Sequence, residues 1–110
     1  MTLDCTLSVE QVGDGIEFAL TVRNTGEEAV ELTFSDGQTI EVVAEQGNKQ
    51  DWRYSDGQMF TQALRMETLA PGEQLIETVT WEEPPAGEFE IRAWLCANDA
   101  NCVATRSITI

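Results

Sequence analysis

The chain has 110 residues, 20 of them Asp or Glu against 6 Lys or Arg, for a formal net charge of -14. With 42% hydrophobic residues the apolar share is near average, so the charge does not describe a disordered chain. The length suits one globular domain over residues 1–110, and the negative field argues against nucleic acid or an anionic membrane surface as partner.

The first predicted strand runs from Leu3 to Val9, with Leu3, Cys5, Leu7 and Val9 on its inward phase. Ahead of it, Met1-Thr2-Leu3-Asp4-Cys5 lacks the basic start and apolar stretch of a signal peptide, and no later run has the length of a membrane helix. A soluble protein is expected. The clearest strand is Ile16 to Val22, where Ile16, Phe18, Leu20 and Val22 alternate with Glu17, Ala19 and Thr21. After the turn Asn24-Thr25-Gly26, Val30, Leu32 and Phe34 alternate with Glu31 and Thr33. The turn Ser35-Asp36-Gly37 leads into a strand from Thr39 to Ala44.

Leu75 to Trp81 follows the turn Ala70-Pro71-Gly72, but Leu75, Val79 and Trp81 share a phase with Glu77, which calls for an edge strand or a bulge. Phe89 to Leu95 alternates cleanly after Pro84-Pro85-Ala86-Gly87. Val103 to Ile110 shifts its apolar phase between Val103 and Ile108, which predicts a bulge. Seven or eight short strands without a helix predict an all-β fold, an antiparallel β-sandwich of immunoglobulin-like topology; an up-and-down barrel is the alternative.

Glu17, Glu31, Glu41 and Glu90 fall on outward strand positions, so the acidic residues read as a solvated surface. Lys49 is the one lysine among the basic residues. A Glu- and Asp-rich, Lys-poor surface suits molar salt, where a Debye length of about 3 Å screens its self-repulsion.

The chain contains no His, which removes the Ser-His-Asp and Cys-His arrangements and the usual catalytic zinc sites. A carboxylate pair of glycosidase type needs a deep cleft, which a sandwich of this size rarely provides. The expectation is a non-enzymatic protein with no metal site. Of the three cysteines, Cys5 reads as a small buried apolar residue. Cys96 and Cys102 flank the polar loop Ala97–Asn101, where they could meet as a disulfide at the mouth of a hairpin or remain thiols in a reducing cytoplasm.

Phe34-Ser35-Asp36-Gly37-Gln38 and Tyr54-Ser55-Asp56-Gly57-Gln58 differ only in their aromatic residue. Asp bonding back to the local backbone and Gly at positive φ suit both to turns, and the unlike flanks argue for one turn used twice rather than a repeat. The second opens the segment Trp52, Arg53, Tyr54, Ser55, Asp56, Gly57, Gln58, Met59, Phe60, Thr61, Gln62, Ala63, Leu64, with Lys49 just ahead of it. It gathers Trp, Tyr, Phe, Met and Arg, types enriched at protein interfaces. On the bland reading Trp52, Tyr54 and Phe60 cap the core and Gln62 bonds to backbone. On the sharper one the segment is presented to a partner, with Arg53 and Met59 as exposed contacts.

Residues 52 to 64 closely resemble the signature of the BsuPI-like intracellular proteinase inhibitors. Thr21-Val22-Arg23-Asn24, Leu32 to Gln38, Leu69-Ala70-Pro71-Gly72-Glu73, Thr80-Trp81 and Pro85-Ala86-Gly87 follow that pattern in order, so the resemblance spans residues 16 to 96. It implies an immunoglobulin-like sandwich, here an acidic member of haloarchaeal type. It also implies a cytoplasmic, non-enzymatic inhibitor of serine proteinases without a cofactor. A monomer is expected. An immunoglobulin-like structural or adhesion module is the alternative, favoured by an oxidised cysteine pair.

Overall fold

In a computed structural model, which describes Leu3–Ile110, the described residues form nine strands and no helix. Met1 and Thr2, which begin the segment read as lacking a signal peptide, lie outside the described residues. The strands are β1 (Leu3–Val12), β2 (Gly15–Asn24), β3 (Val30–Phe34), β4 (Ile40–Gln46), β5 (Lys49–Arg53), β6 (Arg65–Leu69), β7 (Gln74–Trp81), β8 (Glu88–Leu95) and β9 (Val103–Thr109).

They are arranged as an antiparallel sheet β1-β2-β7, a second of order β5-β4-β8-β9, and the pair β3-β6. An immunoglobulin-like β-sandwich is the resulting fold. Period-two alternation creates the layers: Phe18, Leu20 and Val22 of β2, Ile40, Val42 and Ala44 of β4, and Phe89, Ile91, Ala93 and Leu95 of β8 meet in one core. Full burial of each large apolar side chain contributes roughly 1.5–3 kcal/mol, and these strands carry most of it.

The strand count exceeds the expected seven or eight because β5 and β6 are five-residue strands with little apolar alternation. The phase conflict in β7 resolves as an edge: β7 pairs with β2 in unbroken register and Glu77 is half-buried. The bulge expected in the last strand is absent. β9 pairs with β8 in continuous register from Trp94↔Val103 to Glu88↔Thr109, and Val103 simply faces outward, 56% exposed. The register shift lies instead at Ala44/Glu45, inside the β4–β5 ladder, where Ala44 pairs with Trp52 and Glu45 with Gln50.

Two ties close the sandwich. Asn24, fully buried at the end of β2, donates from Nδ2 to the carbonyls of Glu28 (2.7 Å) and Leu69 (2.9 Å), while its Oδ1 accepts the Gly26 N–H at 2.9 Å. On the opposite edge of β3, the loop between β8 and β9 takes a strand's place. The Asn98 N–H donates to the Thr33 carbonyl (2.8 Å), and the Asp99 carboxylate accepts the Thr33 N–H (3.0 Å) and hydroxyl (3.0 Å).

The cysteines correct the sequence reading. Cys102 is disulfide-bonded to Cys5, with Cα atoms 5.7 Å apart, and Cys96 is free. The loop does close the β8–β9 hairpin, with the Leu95 N–H donating to the Cys102 carbonyl at 2.9 Å, but the Cys102 sulfur is taken by Cys5 of β1 and none is left for Cys96. Cys5 is therefore half-buried in a crosslink between the first and last strands, where Arg106 Nη1 also donates to the Leu7 carbonyl at 3.4 Å.

Candidate functional site

The segment from Trp52 to Leu64 begins inside a strand. At the end of β5, Trp52 points into the sandwich, stacked on Trp81 (centroids 5.1 Å, 12° between planes) and near-parallel to Phe18 (5.8 Å, 29°). Trp81 in turn meets Phe89 edge-on at 5.1 Å. Such aromatic pairs add about 0.5–1.5 kcal/mol each beyond the area they bury, so Trp52 fixes where the segment leaves the core. Neighbouring positions of β5 face opposite ways, which puts Arg53 on the outer surface of the sheet.

Arg53 is not a free contact. Its Nε–H donates to Glu41 Oε2 at 3.1 Å, its guanidinium carbon lies 5.6 Å from the Trp94 ring centre, and its side chain is 35% exposed. Arg92 approaches the same ring at 5.4 Å and reaches Glu45 at 3.7 Å. Glu41, expected on a solvated face, is an outward residue only 4% exposed, because the turn after β5 folds over it. One carboxylate there accepts hydrogen bonds from the Val42 and Ser55 N–H groups (3.1 Å each), Gln38 Nε2 (3.2 Å) and Arg53. Burial pushes its pKa up, but the bonds from Ser55, Gln38 and the Val42 backbone outweigh that and hold it below the usual carboxylate value.

Glu41 thus organises the turn that follows. Tyr54 N–H donates to the Val42 carbonyl (2.9 Å), Asp56 N–H to Arg53 (3.1 Å) and Gln58 N–H to Ser55 (3.1 Å). Gly57 adopts φ 78°, a conformation that disfavours any side chain. Beyond it residues 58–64 form no regular structure. Phe60 rests edge-on against Tyr54, centroids 6.1 Å apart, and the Thr61 carbonyl accepts the Gly37 N–H at 2.7 Å. A Cβ at Gly37 would sit 2.7 Å from Thr61 Oγ1, so the first Ser-Asp-Gly turn must end in glycine to support the far end of the second. Burial and the negative charges of Glu77 and Glu41 raise the Tyr54 pKa and keep its hydroxyl protonated.

The expected site residues therefore divide. Trp52, Arg53, Tyr54, Ser55 and Phe60 are half-buried, Trp52 and Tyr54 packed against the core, and Asp56, Gly57, Met59 and Gln62 are exposed. Met59 is 98% exposed, with Leu64 at 69% and Met66 at 65% further along. Sequence reasoning missed Glu41, Gly37 and Trp94. For the first two the signal was present: the repeated Ser-Asp-Gly-Gln could have been read as two turns braced together, with an acid three residues after one and an Arg two residues before the other.

The chemistry around this surface is that of contact. A shallow depression of about 300 Å³ beside the turn is lined by Trp52, Tyr54, Asp56, Gln58, Trp81 and Glu82. A second, of about 350 Å³ on the β2–β3 connection at Asn24 to Glu31, shares no residue with it. Among the described residues no group of three or more His, Cys, Asp or Glu is arranged to hold a metal ion, and no helix is long and apolar enough to cross a membrane. Burial and the charges of Glu41 and Asp36 push the Cys96 thiol up to about 11, leaving it protonated and a poor nucleophile at neutral pH.

The sequence profile of BsuPI, described as intracellular proteinase inhibitor, matches residues 3–100. The chain belongs to that family. Its sandwich is similar to solved structures at low identity. Against the sporulation control protein Spo0M from Bacillus subtilis the identity is 14% over 97% of this chain and 48% of that one, with TM-score 0.59. The CARDB domain of a Pyrococcus furiosus protein, solved with di-metal ions, matches at 17% identity over 98% of this chain and 91% of that one, TM-score 0.54. A β-glucosidase from Erythrobacter marinus matches at 15% identity and TM-score 0.54 over 98% of this chain. The chain spans 15% of that β-glucosidase. These likenesses concern the fold alone. Among curated proteins none matches.

Proposed function

We propose that this BsuPI-family protein inhibits a serine proteinase by binding it, without catalysis, through the segment from Trp52 to Gln62. The observation that carries the reading is Met59, an apolar side chain 98% exposed on a loop whose two flanks are pinned to the sandwich. Pinning matters because ordering a loose loop on binding costs roughly 0.5–1.5 kcal/mol per immobilised side chain. Trp52, Tyr54 and Phe60 hold the shape; Ser55, Asp56, Gly57 and Gln62 form the polar rim. The protein acts as a cytoplasmic monomer of one domain, needs no cofactor, and carries its charge of -14 as an adaptation to high salt rather than as a nucleic-acid- or membrane-directed feature.

The test is inhibition of serine proteinases by the wild type and by a variant whose residues 57–64 are replaced with a Gly-Ser linker of equal length. Loss of inhibition in a variant that still melts cooperatively supports the reading; equal inhibition by both overturns it. The Cys5–Cys102 disulfide specifically favours a second reading, an immunoglobulin-like structural or adhesion module of an oxidising compartment. Thiol alkylation during lysis of the native host separates the two: three alkylated cysteines per chain favour the cytoplasmic inhibitor, one favours the module.

A further inference from the structure

We infer that Met59 is the specificity-determining residue, the side chain that fills the primary pocket of the proteinase. The target is thereby a serine proteinase that cleaves after large apolar residues. The inference rests on the inhibitory reading above and adds a residue and a substrate class to it. Four observations lead there.

A side chain as apolar as Met is expected to be covered, yet Met59 is 98% exposed at the crest of its loop. On its N-terminal side the chain is fixed by Glu41 through the Ser55 N–H and by the Gln58 N–H to Ser55 carbonyl bond. On its C-terminal side the Thr61 carbonyl is held by Gly37, and the Phe60 ring by Tyr54. Met59 is thus presented, not loose. Among the described residues its own amide and carbonyl have no backbone partner, so they are available for the strand-like pairing by which extended segments dock in clefts.

Charge selects the pocket. Residues 57–64 contain no Asp, Glu, Lys or Arg in a chain with 20 carboxylates, so this is where the surface can enter an apolar cavity without burying a charge. An unbranched, flexible thioether fits a deep, narrow or irregular apolar pocket better than a β-branched residue does. The competing candidate, Arg53, would direct the protein to a proteinase with an acidic pocket. Its guanidinium is already committed to Glu41 and stacked near Trp94, and withdrawing it would leave Glu41 buried without its cation.

The experiment measures inhibition constants of wild type, Met59→Asp, Met59→Lys and Arg53→Lys against a subtilisin-type proteinase, chymotrypsin and trypsin, at low and molar KCl. The wild type is expected to inhibit at least one of the two apolar-pocket enzymes at least about 100-fold more tightly than trypsin. Met59→Asp should weaken that inhibition at least about 100-fold, the effect of forcing a charge into an apolar pocket. Met59→Lys should shift preference toward trypsin at least about tenfold, while all Met59 variants melt within about 3 °C of wild type because the side chain makes no fold contacts. Met59 variants that inhibit within threefold of wild type overturn this inference and leave the inhibitory reading standing. Wild-type protein that inhibits none of the three enzymes overturns both.

Discussion

Replacing Glu41 by Gln tests whether one buried carboxylate holds the loop. Glu41 is 4% exposed and accepts hydrogen bonds from two backbone N–H groups, Gln38 and Arg53. Gln keeps the volume and one acceptor oxygen, but turns an NH2 toward the Arg53 guanidinium and removes the charge that offsets it. Removing one partner of a fully buried pair costs about 3–5 kcal/mol; with the Arg53 side chain 35% exposed, about 1.5–3 kcal/mol is the better expectation here. At roughly 4–6 °C per kcal/mol for a domain of this size, Tm should fall by about 6–18 °C. Near-UV circular dichroism melts in 2 M KCl at pH 7 give the number. The wild-type carboxyl is held below 4.5, so its contribution is complete above that pH and is lost as pH falls through the folded value. The gap between wild type and Glu41→Gln should accordingly be full at pH 7 and shrink below pH 4.5. A variant within about 0.5 kcal/mol of wild type at pH 7, or a gap independent of pH, would refute the role given to Glu41.

Other expectations follow from the same structure. The Cys5–Cys102 bond spans a sequence separation of 97, and opening a crosslink of that length should cost about 2–5 kcal/mol; the double Ser variant should melt lower, and Cys96→Ser should melt as wild type. Asn24→Ala leaves the Leu69 and Glu28 carbonyls and the Gly26 N–H without their partner, and a loss of about 2–4 kcal/mol in urea unfolding is expected, since the side chain is fully buried. With a net charge of -14, stability should climb steeply from low to molar KCl; a flat response in differential scanning fluorimetry would separate the charge from salt adaptation.

The sandwich was legible because Ile16 to Val22 and Phe89 to Leu95 alternate without interruption, and a period of two with one buried face leaves a single way to stack. β5 and β6 were not legible as strands: Lys-Gln-Asp-Trp-Arg carries one large apolar residue, and its pairing is set by the neighbour β4 rather than by its own pattern. Glu41 misled for a related reason. Periodicity says which face a residue takes, and Glu41 does point outward, but whether that face is wet depends on a turn folding over it from residues twelve and fourteen positions away. The cysteine pairing failed on distance in the other sense: two cysteines five residues apart invite a local bridge, whereas the sheet edges bring Cys5 to Cys102 across the whole chain. Within the site, aromatic and Met content marked the segment, but only the structure separates the pinned Arg53 from the presented Met59.

The most direct test of the account is an amide hydrogen-exchange footprint of the protein mixed with the proteinase that proves to bind it, in molar KCl. Protection concentrated in residues 54–62, with β1 and β9 unchanged, is the predicted result. Protection centred on the β1–β9 edge or the β2–β3 connection, with residues 54–62 still exchanging freely, would contradict it.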